Sequence, residues 1–470
     1  MYGAMAVAAA GLFAVAARGD LWLDEIWSLD FARDAHSAWD VFTHIHHDNN
    51  HPLNTLYLYW LKGNHSSIEY RLLSVLSGVG SVLLVGQIAQ RQWGRAEARL
   101  AMPFLAICYP LLLYFSEARG YALAVFCALL AYSFWRKWLE ENRMATALAF
   151  WLASAAGLLA HASFVIASIA FVFGHVIERF EATGRPGDAI ASVAKLHAVP
   201  LAVAGAWYFY FLRTMTIGGG DPSSGFEVVG TACSYLVGLP DTPLYRLLAI
   251  VALLAFVVLE ALSLRRARDG QWAFLLGITI LAPAVALAAS ASDNLYFRYF
   301  LISFPFVVLF FAHAVCVAWH SWPRKWRWLA LAALLVGAAG HLSRDVSLLR
   351  NGRGQYSEAL SFILVHSEPG RVVIASDHDF RNSTVIEFFA PRLPDGGRLV
   401  YVDQEQWLEA KPEWLLLHSQ DLHYRPMPAF AVRGVGEYTL LRIFPYSGVS
   451  GWTWYLYRRT GSVLAGANVP

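Results

Sequence analysis

Long apolar segments recur along this chain, and they constrain its fold more than any other feature. Windows of roughly 20 apolar residues, enough for a helix to cross a hydrocarbon core of about 30 Å, occur about eleven times. The chain is 57% hydrophobic and only 15% charged, a balance that a soluble protein of 470 residues would not tolerate. The sequence therefore predicts a polytopic α-helical membrane protein, with spans near 2–18, 71–90, 100–115, 120–135, 146–160, 162–178, 196–212, 244–264, 272–291, 299–319 and 327–342.

The distribution of basic residues predicts the orientation of these spans. Arginine and lysine collect in the short loops that follow every second span, and the positive-inside rule places such loops in the cytoplasm. The N-terminus is then cytoplasmic, and the longer loops at 19–70 and 213–243 face outward. The first apolar run has neither a basic leader nor a cleavage pattern, so we expect a retained membrane anchor. The Gly- and Ser-rich stretch 218–225 fits either a mobile flap or a plain disordered connection.

The composition changes after about residue 343. Short strand-like runs at 371–375, 398–402, 413–417 and 438–443 are separated by turn residues, and a helix-like stretch at 356–366 precedes them. This pattern divides the chain into a membrane domain, 1–342, and a small soluble α/β domain, 343–470, on the outer side of the membrane.

The charge argues against one class of function, and the cysteines carry no information about the chemistry. A net charge of +2, with basic residues dispersed among short loops, does not favour nucleic-acid binding. The four cysteines have no paired spacing for a metal or a disulfide framework.

Three polar motifs lie in the outward loops, and the first is the acidic pair Asp24-Glu25. A carboxylate on a short helix at the membrane surface is well placed to take a proton from an acceptor hydroxyl. Adjacent helical residues point about 100° apart, so only one of the pair can face a reacting centre, and the other is available to cap, pair or bind a cation. A solvated acidic helix start is the alternative for this pair.

The second and third motifs combine donors and cations. His51-Pro52-Leu53 is followed by Tyr57, and the stretch 116–121 contains Glu117, Arg119 and Tyr121. A histidine or a bidentate arginine there suits a phosphate oxygen, with Glu117 orienting the arginine or contacting a sugar. A structural ion pair at a helix junction explains Glu117 and Arg119 equally well.

One more cation lies at the outer end of the tenth span, where Arg298-Tyr299 precedes a long apolar helix. Its guanidinium can neutralise a phosphate anchored by a lipid tail, or it can anchor the helix by snorkelling to the interface. The histidine-rich segment 44–48 matches no closed zinc pattern. We therefore assign no metal ligand and no certain cofactor, and leave a divalent cation as an open alternative.

In their order and common sidedness, Asp24-Glu25, His51-Pro52-Leu53 with Tyr57, the 116–121 motif and Arg298-Tyr299 resemble the GT-C glycosyltransferases. The similarity is to the protein-mannosyltransferase and lipid A aminoarabinose-transferase type, and it covers roughly residues 1–320. The C-terminal part resembles the variable outer domain of such enzymes only in position and strand-like character. Some relatives carry a lysine where this chain has His51, so a role for His51 at the phosphate depends on its protonation.

The resemblance implies a GT-C fold and an inverting transfer of a sugar from a polyprenyl-phosphate donor to an acceptor on the periplasmic face of a bacterial cytoplasmic membrane. Asp24 would be the catalytic base or hold the acceptor, Glu117 would be a second acidic residue, and Arg119 and Arg298 would bind the lipid phosphate. A lipid or glycolipid acceptor is favoured over protein. A protein O-glycosyltransferase, a ligase that uses lipid diphosphates and a non-catalytic scaffold remain alternatives. A lipid or oligosaccharide transporter would show broken helices and paired halves, and the sequence shows neither.

Overall fold

The computed structural model describes residues 1–218, 224–289 and 295–460. Internal contacts divide the chain into two compact units. The membrane unit consists of Met1–Ala17 and Phe31–Asp345, and the α/β unit consists of Arg18–Asp30 and Val346–Pro470. This division differs from the one expected from the sequence in the first outer loop, because Arg18–Asp30 groups with the C-terminal part of the chain.

Seventeen helices account for most of the first 351 residues, among those that the structure describes. In chain order they are α1 Tyr2–Ala16, α2 Leu23–Asp34, α3 Asp40–Thr43, α4 Pro52–Leu61, α5 Ser67–Gln92, α6 Arg95–Ala106, α7 Tyr109–Phe115, α8 Tyr121–Glu141, α9 Met144–Ala160, α10 Val165–Thr183, α11 Pro186–Tyr210, α12 Gly225–Val237, α13 Pro243–Arg266, α14 Gln271–Leu276, α15 Ala282–Ala289, α16 Phe304–Ser321 and α17 Arg324–Asn351. A π-helical turn, Gly277–Leu281, joins α14 to α15, and a 3₁₀ segment, Phe297–Ser303, leads into α16.

The helical membrane architecture predicted from the sequence is confirmed, and the chain is a multi-pass membrane protein. Eight helices within the described residues are long and apolar enough to cross a membrane, or nine if α6 and α7 count as one span. The segments predicted at 2–18 and 146–160 are helices of only 15 and 17 residues. A count of eleven therefore depends on including these shorter helices.

The span predicted at 100–115 is broken in the structure. Helices α6 and α7 meet at an angle of 64° around Ile107 and Cys108. Pro110 lies in the first turn of α7, and because it has no N–H it cannot continue the hydrogen-bonding pattern of α6. This break was not predicted from the sequence. The bend lies just before α7, and α7 leads directly into the 116–121 motif.

The contact between α12 and α17 depends on glycine. Gly238 ends α12 in the left-handed conformation, and a Cβ on Gly340 of α17 would lie 1.7 Å from the Gly238 carbonyl oxygen. We expect Gly340→Ala to destabilise the protein by about 1–3 kcal/mol or more, because the backbones would have to separate. Thermal unfolding in detergent would measure the loss. Gly205→Ala is the matched control, since a Cβ on Gly205 meets nothing within 4 Å, and an equal midpoint for both variants would contradict the prediction.

The α/β unit contains one six-stranded sheet in the order β2-β1-β3-β6-β5-β4. Strands β1, β2 and β3 are parallel, and the remaining pairs are antiparallel. Its elements are α18 Tyr356–Val365, β1 Val372–Ser376, α19 Asp379–Phe389, β2 Leu399–Tyr401, α20 Trp407–Ala410, β3 Trp414–Ser419, β4 Ala429–Val432, β5 Gly436–Phe444 and β6 Thr453–Thr460. The predicted α/β character is thus confirmed, and all four strand-like runs are strands. Strands β4 and β6 were not predicted, although β6 occupies the middle of the sheet.

A capping contact joins Arg18–Asp30 to the C-terminal part of the chain. The carboxylate of Asp20 accepts hydrogen bonds from the backbone N–H and the hydroxyl of Ser357, at 2.7 and 2.9 Å. Ser357 lies in the first turn of α18, whose N–H groups have no intrahelical acceptor. The Asp20 side chain therefore fixes the chain just before α2 onto the α/β unit.

Candidate active site

Four aromatic and imidazole rings from distant parts of the chain meet inside the membrane unit. The ring centre of His51 lies 4.8 Å from that of His161 and 5.3 Å from that of Tyr121. The rings of Tyr121 and His161 are 4.1 Å apart, and Tyr299 lies 6.2 Å from His161. The structure thus brings together three of the residues singled out from the sequence, His51, Tyr121 and Tyr299.

His51 is a buried, neutral imidazole. It precedes α4, and its Nδ1 accepts the backbone N–H of Gly120 at 3.2 Å. A side chain at Gly120 is excluded, because a Cβ would lie 1.9 Å from the carbonyl oxygen of Ala160. Burial, and then the nearby charge of Arg119, hold the pKa of His51 well below its ordinary value. With Nδ1 accepting, the proton sits on Nε2, so His51 presents a hydrogen-bond donor and not a cation.

The buried state of His51 makes stability depend on pH. Since its pKa is lower in the folded protein than the ordinary 6.5, the unfolded chain takes up the proton first. The stabilisation from neutral His51 is complete above about pH 6.5 and declines as the pH falls toward the folded pKa, by up to about 1.4 kcal/mol per pH unit. We expect the thermal midpoint to fall less between pH 6.5 and 5 in His51→Asn, whose amide oxygen can accept the Gly120 N–H. The exposed His44→Asn is the control, and equal slopes in wild type and His51→Asn would contradict the prediction.

Arg119 is fixed among polar and aromatic partners. Its side chain is only 3% exposed, its Nη2 donates to Oδ1 of Asn49 at 2.7 Å, and its guanidinium lies 5.1 Å from the centre of the Tyr121 ring. Its carbonyl oxygen accepts the hydroxyl of Ser74 from α5. Side-chain and backbone contacts therefore hold Arg119 in one orientation before any substrate arrives.

Arg298 supplies a second guanidinium in the same region. It lies in the 3₁₀ segment before α16, half-buried, 4.3 Å from the centre of the Tyr296 ring. Its charge, like that of Arg119, lowers the pKa of His51 after the larger effect of burial. Two positive charges thus act on one buried site.

Glu117 and Tyr57, two further residues singled out from the sequence, are described by their hydrogen bonds with backbone groups. Glu117 is fully buried, and its backbone carbonyl accepts the N–H of Arg119 at 2.8 Å, which closes the turn between α7 and α8. The amide of Asn54 in α4 donates to the carbonyl of Ala118 in the same turn. The hydroxyl of Tyr57 donates to the carbonyl of Glu69 at 2.6 Å, at the start of α5, so Tyr57 supports the packing of α4 on α5.

A cavity of about 250 Å³ adjoins the ring cluster. Asp48, Asn50, His51, His161, Ser163 and Tyr299 contribute to its walls, and the rest of the lining is largely apolar and aromatic, including Trp207 and Phe211. Burial alone would raise the pKa of the Asp48 carboxyl. Hydrogen bonds from His47 and the Gly218 N–H, with the charges of His47 and Arg119, outweigh that effect and hold the pKa below its ordinary value. The cavity therefore combines an apolar wall with an ionised carboxylate and two nearby cations.

The acidic pair lies in the α/β unit, in the first turn of α2 as predicted. Glu25 is fully buried, and its Oε2 accepts the backbone N–H of Trp22 at 3.3 Å, so it caps the start of its own helix. Asp24 is half-buried, and its carbonyl accepts the hydroxyl of Ser28. Of the two carboxylates, Asp24 keeps the greater access to solvent.

The histidine-rich segment does not assemble a metal site in the described ranges. His46 Nδ1 lies 2.6 Å from the Thr214 hydroxyl, and His44 lies 3.3 Å from the carboxylate of Asp40. Within the residues that the structure describes, no group of three or more His, Cys, Asp or Glu side chains is arranged to hold a metal ion. Five residues of the Gly- and Ser-rich stretch, 219–223, lie outside the described residues.

Sequence reasoning missed one central residue of the cluster. His161 follows α9 and contacts His51, Tyr121 and Tyr299 through its ring. One signal could have identified His161: it is a lone histidine that interrupts an apolar stretch. A polar side chain is costly inside a membrane, so its presence is typical of a functional or structural polar contact.

Comparisons with known proteins give similarities in structure at low sequence identity. No protein-family model matches the chain, and no curated protein matches it. Apo ArnT from Cupriavidus metallidurans is 14% identical, with 89% of this chain and 91% of that chain covered and a TM-score of 0.48. The same protein bound to undecaprenyl phosphate is 13% identical, with 99% and 98% covered and a TM-score of 0.47.

An archaeal enzyme is also similar. The Archaeoglobus fulgidus oligosaccharyltransferase, tethered to an acceptor peptide, is 13% identical over 80% of this chain and 61% of that chain, with a TM-score of 0.46.

Proposed function

We propose that this protein is a membrane glycosyltransferase that moves a sugar from a polyprenyl-phosphate donor to a lipid or glycolipid acceptor on the outer face of a bacterial cytoplasmic membrane. One observation carries the proposal. Two arginines adjoin the same ring cluster beside a cavity in the membrane unit: the guanidinium of Arg119 lies 5.1 Å from the centre of the Tyr121 ring, and Arg298 directly precedes Tyr299 in the 3₁₀ segment before α16. A guanidinium binds phosphate oxygens through two parallel hydrogen bonds, so a pair of arginines beside one cavity suits a phosphate ligand.

The chemistry of the site suits a phosphate leaving group. The two guanidiniums and the Nε2–H of His51 supply donors for phosphate oxygens, and His51 contributes without adding a third charge. A phosphate that leaves as a stable anion needs little acid assistance. The apolar and aromatic walls of the cavity suit the lipid next to the phosphate or a sugar ring.

The transfer then needs only one base. An acceptor oxygen attacks the anomeric carbon, the bond from that carbon to the phosphate oxygen breaks, and the acceptor proton passes to a carboxylate. Asp24 is our assignment for this base, because it begins a helix beyond the first apolar segment and keeps more solvent access than Glu25. One displacement inverts the anomeric centre.

The nature of the acceptor, glycolipid or protein, can be tested in the cell envelope. We expect mass spectrometry of outer-envelope glycolipids and glycoproteins to show one glycolipid that lacks a sugar when the gene is deleted. A glycoprotein that loses its sugar instead would favour the protein O-glycosyltransferase. Identical glycolipids and glycoproteins with and without the gene would contradict both enzymes.

A transporter of lipid-linked sugars is the second candidate, and the 64° break between α6 and α7 favours it. Purified protein in liposomes separates the two functions. A glycosyltransferase releases polyprenyl phosphate from a labelled donor only when an acceptor is present. A transporter moves the intact donor between leaflets and releases none.

A further inference from the structure

The parallel half of the sheet in the α/β unit has a topological switch point. The chain leaves β1 through α19 toward β2, and it leaves β3 toward β4 at the opposite edge of the sheet. Because β1 and β3 are neighbours, these two connections depart in opposite directions, and we call the surface between the carboxyl ends of these two strands the crevice. In open α/β sheets, ligands bind in such crevices.

A chain of polar groups crosses this crevice. Asp377 directly follows β1, and its Oδ1 lies 2.8 Å from Nδ1 of His418, near the end of β3. The backbone N–H of His418 also donates to this carboxylate. On the other side of the imidazole, Nη1 of Arg381 lies 3.4 Å from Nε2. A carboxylate, an imidazole and a guanidinium are therefore held in line at the surface.

A second group of polar atoms lies beside the first. The carboxylate of Asp379 accepts the hydroxyl of Tyr401 at 2.7 Å and the backbone N–H of Gln404 at 3.1 Å. The exposed Gln404 side chain donates to the carbonyl of Asp377 at 2.9 Å. Carboxylate, guanidinium and amide groups are planar. Each of them can therefore form hydrogen bonds with two neighbouring hydroxyls of a ligand at once.

Aromatic side chains extend the polar crevice. Phe380 follows Asp379 and is 52% exposed, and its ring lies 5.5 Å from that of Trp27 in an edge-to-face arrangement. Trp27 is three residues after Asp24 in α2, so the two lie on neighbouring positions of the helix surface. Phe380 is thus exposed and Trp27 half-buried, and such a pair beside hydrogen-bonding groups is typical of a surface that contacts the apolar face of a ring-shaped polar ligand.

The charges at the crevice exclude the usual ligand of such sheets. A nucleotide phosphate binds at a glycine-rich helix start, but residues 376–380 contain no glycine. The side chain of His378 already accepts the Arg381 N–H at the start of α19, and two carboxylates, Asp377 and Asp379, flank this end of the helix. An uncharged ligand rich in hydroxyls meets these groups without repulsion.

We infer that this surface, formed by Asp377, Asp379, Arg381, Gln404 and His418 with Phe380 and Trp27, is a carbohydrate-binding site that holds a glycan of the acceptor. The polar crevice binds hydroxyls of one sugar, and the aromatic pair supports the next sugar toward Asp24. Only the statement that the glycan belongs to the acceptor rests on the proposed function.

Binding is tested with the full-length protein in detergent on an array of purified, delipidated bacterial envelope oligosaccharides. We expect the wild type to bind at least one oligosaccharide, and Arg381→Ala and Phe380→Ala each to weaken its Kd about tenfold or more. Arg433→Ala and Leu441→Ala, exposed residues of the same unit that lie outside the crevice, are the matched controls and should bind as the wild type does. Arg381→Lys, which keeps the charge and loses the planar fork, should bind with intermediate affinity.

Two results would overturn the site. One is a wild type that binds no oligosaccharide while its thermal unfolding shows an intact fold, and the other is crevice variants that bind as tightly as the controls. Binding of extended peptides that is lost in the same crevice variants would also overturn it, in favour of a protein partner. Because Phe380 is exposed, Phe380→Ala should fold even if Arg381→Ala does not.

Transfer assays separate this inference from the proposed function. If both hold, Arg381→Ala raises KM for a glycolipid acceptor about tenfold and leaves kcat at saturating acceptor near that of the wild type. An unchanged acceptor KM in Arg381→Ala would overturn the glycan site and leave the enzyme assignment standing. Glycan binding by a wild type that transfers no sugar would overturn the assignment and leave the site standing.

Discussion

Asp24→Asn should lower the turnover of sugar transfer by roughly 10³-fold, while the protein still folds and inserts. The amide is nearly the same size as the carboxylate, but it cannot take up the acceptor proton. Donor binding should change little, because the phosphate ligands lie elsewhere in the chain. Release of polyprenyl phosphate from a labelled donor, followed over time with saturating acceptor, measures the effect.

The control for Asp24→Asn is Asp34→Asn, an exposed carboxylate in the last turn of the same helix. It should transfer sugar at the wild-type rate. Glu25→Ala should behave differently again, because Glu25 caps the start of α2 and the loss of this acceptor should lower the thermal midpoint. Turnover of Asp24→Asn within a few-fold of the wild type would remove Asp24 from the role of base.

Arg298→Ala should reduce turnover by roughly 10²–10³-fold, through loss of charge stabilisation on the departing phosphate. Its guanidinium acts in a partly buried site, where one charge counts for more than it does in water. Arg298→Lys should retain part of the activity, since it keeps the charge without the bidentate geometry. Steady-state rates at several donor concentrations would measure kcat and the donor KM separately.

The exposed Arg143→Ala is the control for Arg298→Ala, because it removes an equal charge from a loop predicted to be cytoplasmic. It should leave both kinetic constants unchanged. If Arg298→Ala has wild-type kcat and donor KM, the arginine is an interfacial anchor and not a ligand of the donor.

Patterns with a period were predictable from the sequence, and contacts between distant segments were not. The apolar windows predicted the membrane helices, and turn residues separated four of the six strands. Strand β6 was missed because its run of Trp and Tyr, 452–457, follows a Gly- and Ser-rich turn and gives no clear alternation. The break before α7 was missed because Pro110 lies inside an otherwise continuous apolar run.

In the candidate site, too, residues with a local motif were predictable and contacts between distant residues were not. His51, Tyr121 and Tyr299 were singled out by local motifs, and the structure brings their rings together around His161. His161 itself has no local motif, and its partners lie 40 to more than 100 residues away in the sequence. The grouping of Arg18–Asp30 with the C-terminal unit includes the contact between Asp20 and Ser357, two polar residues that no sequence signal pairs.

The bond between Asp20 and Ser357 joins positions 337 residues apart, and it sets an order on biogenesis. Asp20, just before α2, emerges from the ribosome early. The helix that its carboxylate caps, α18, is made only after the membrane helices. Strand β6, in the middle of the sheet, arrives later still. Since long-range contacts form last, the segment that carries Asp24 acquires its support only in a nearly finished chain, and a truncated product would reach the membrane with this segment unsupported.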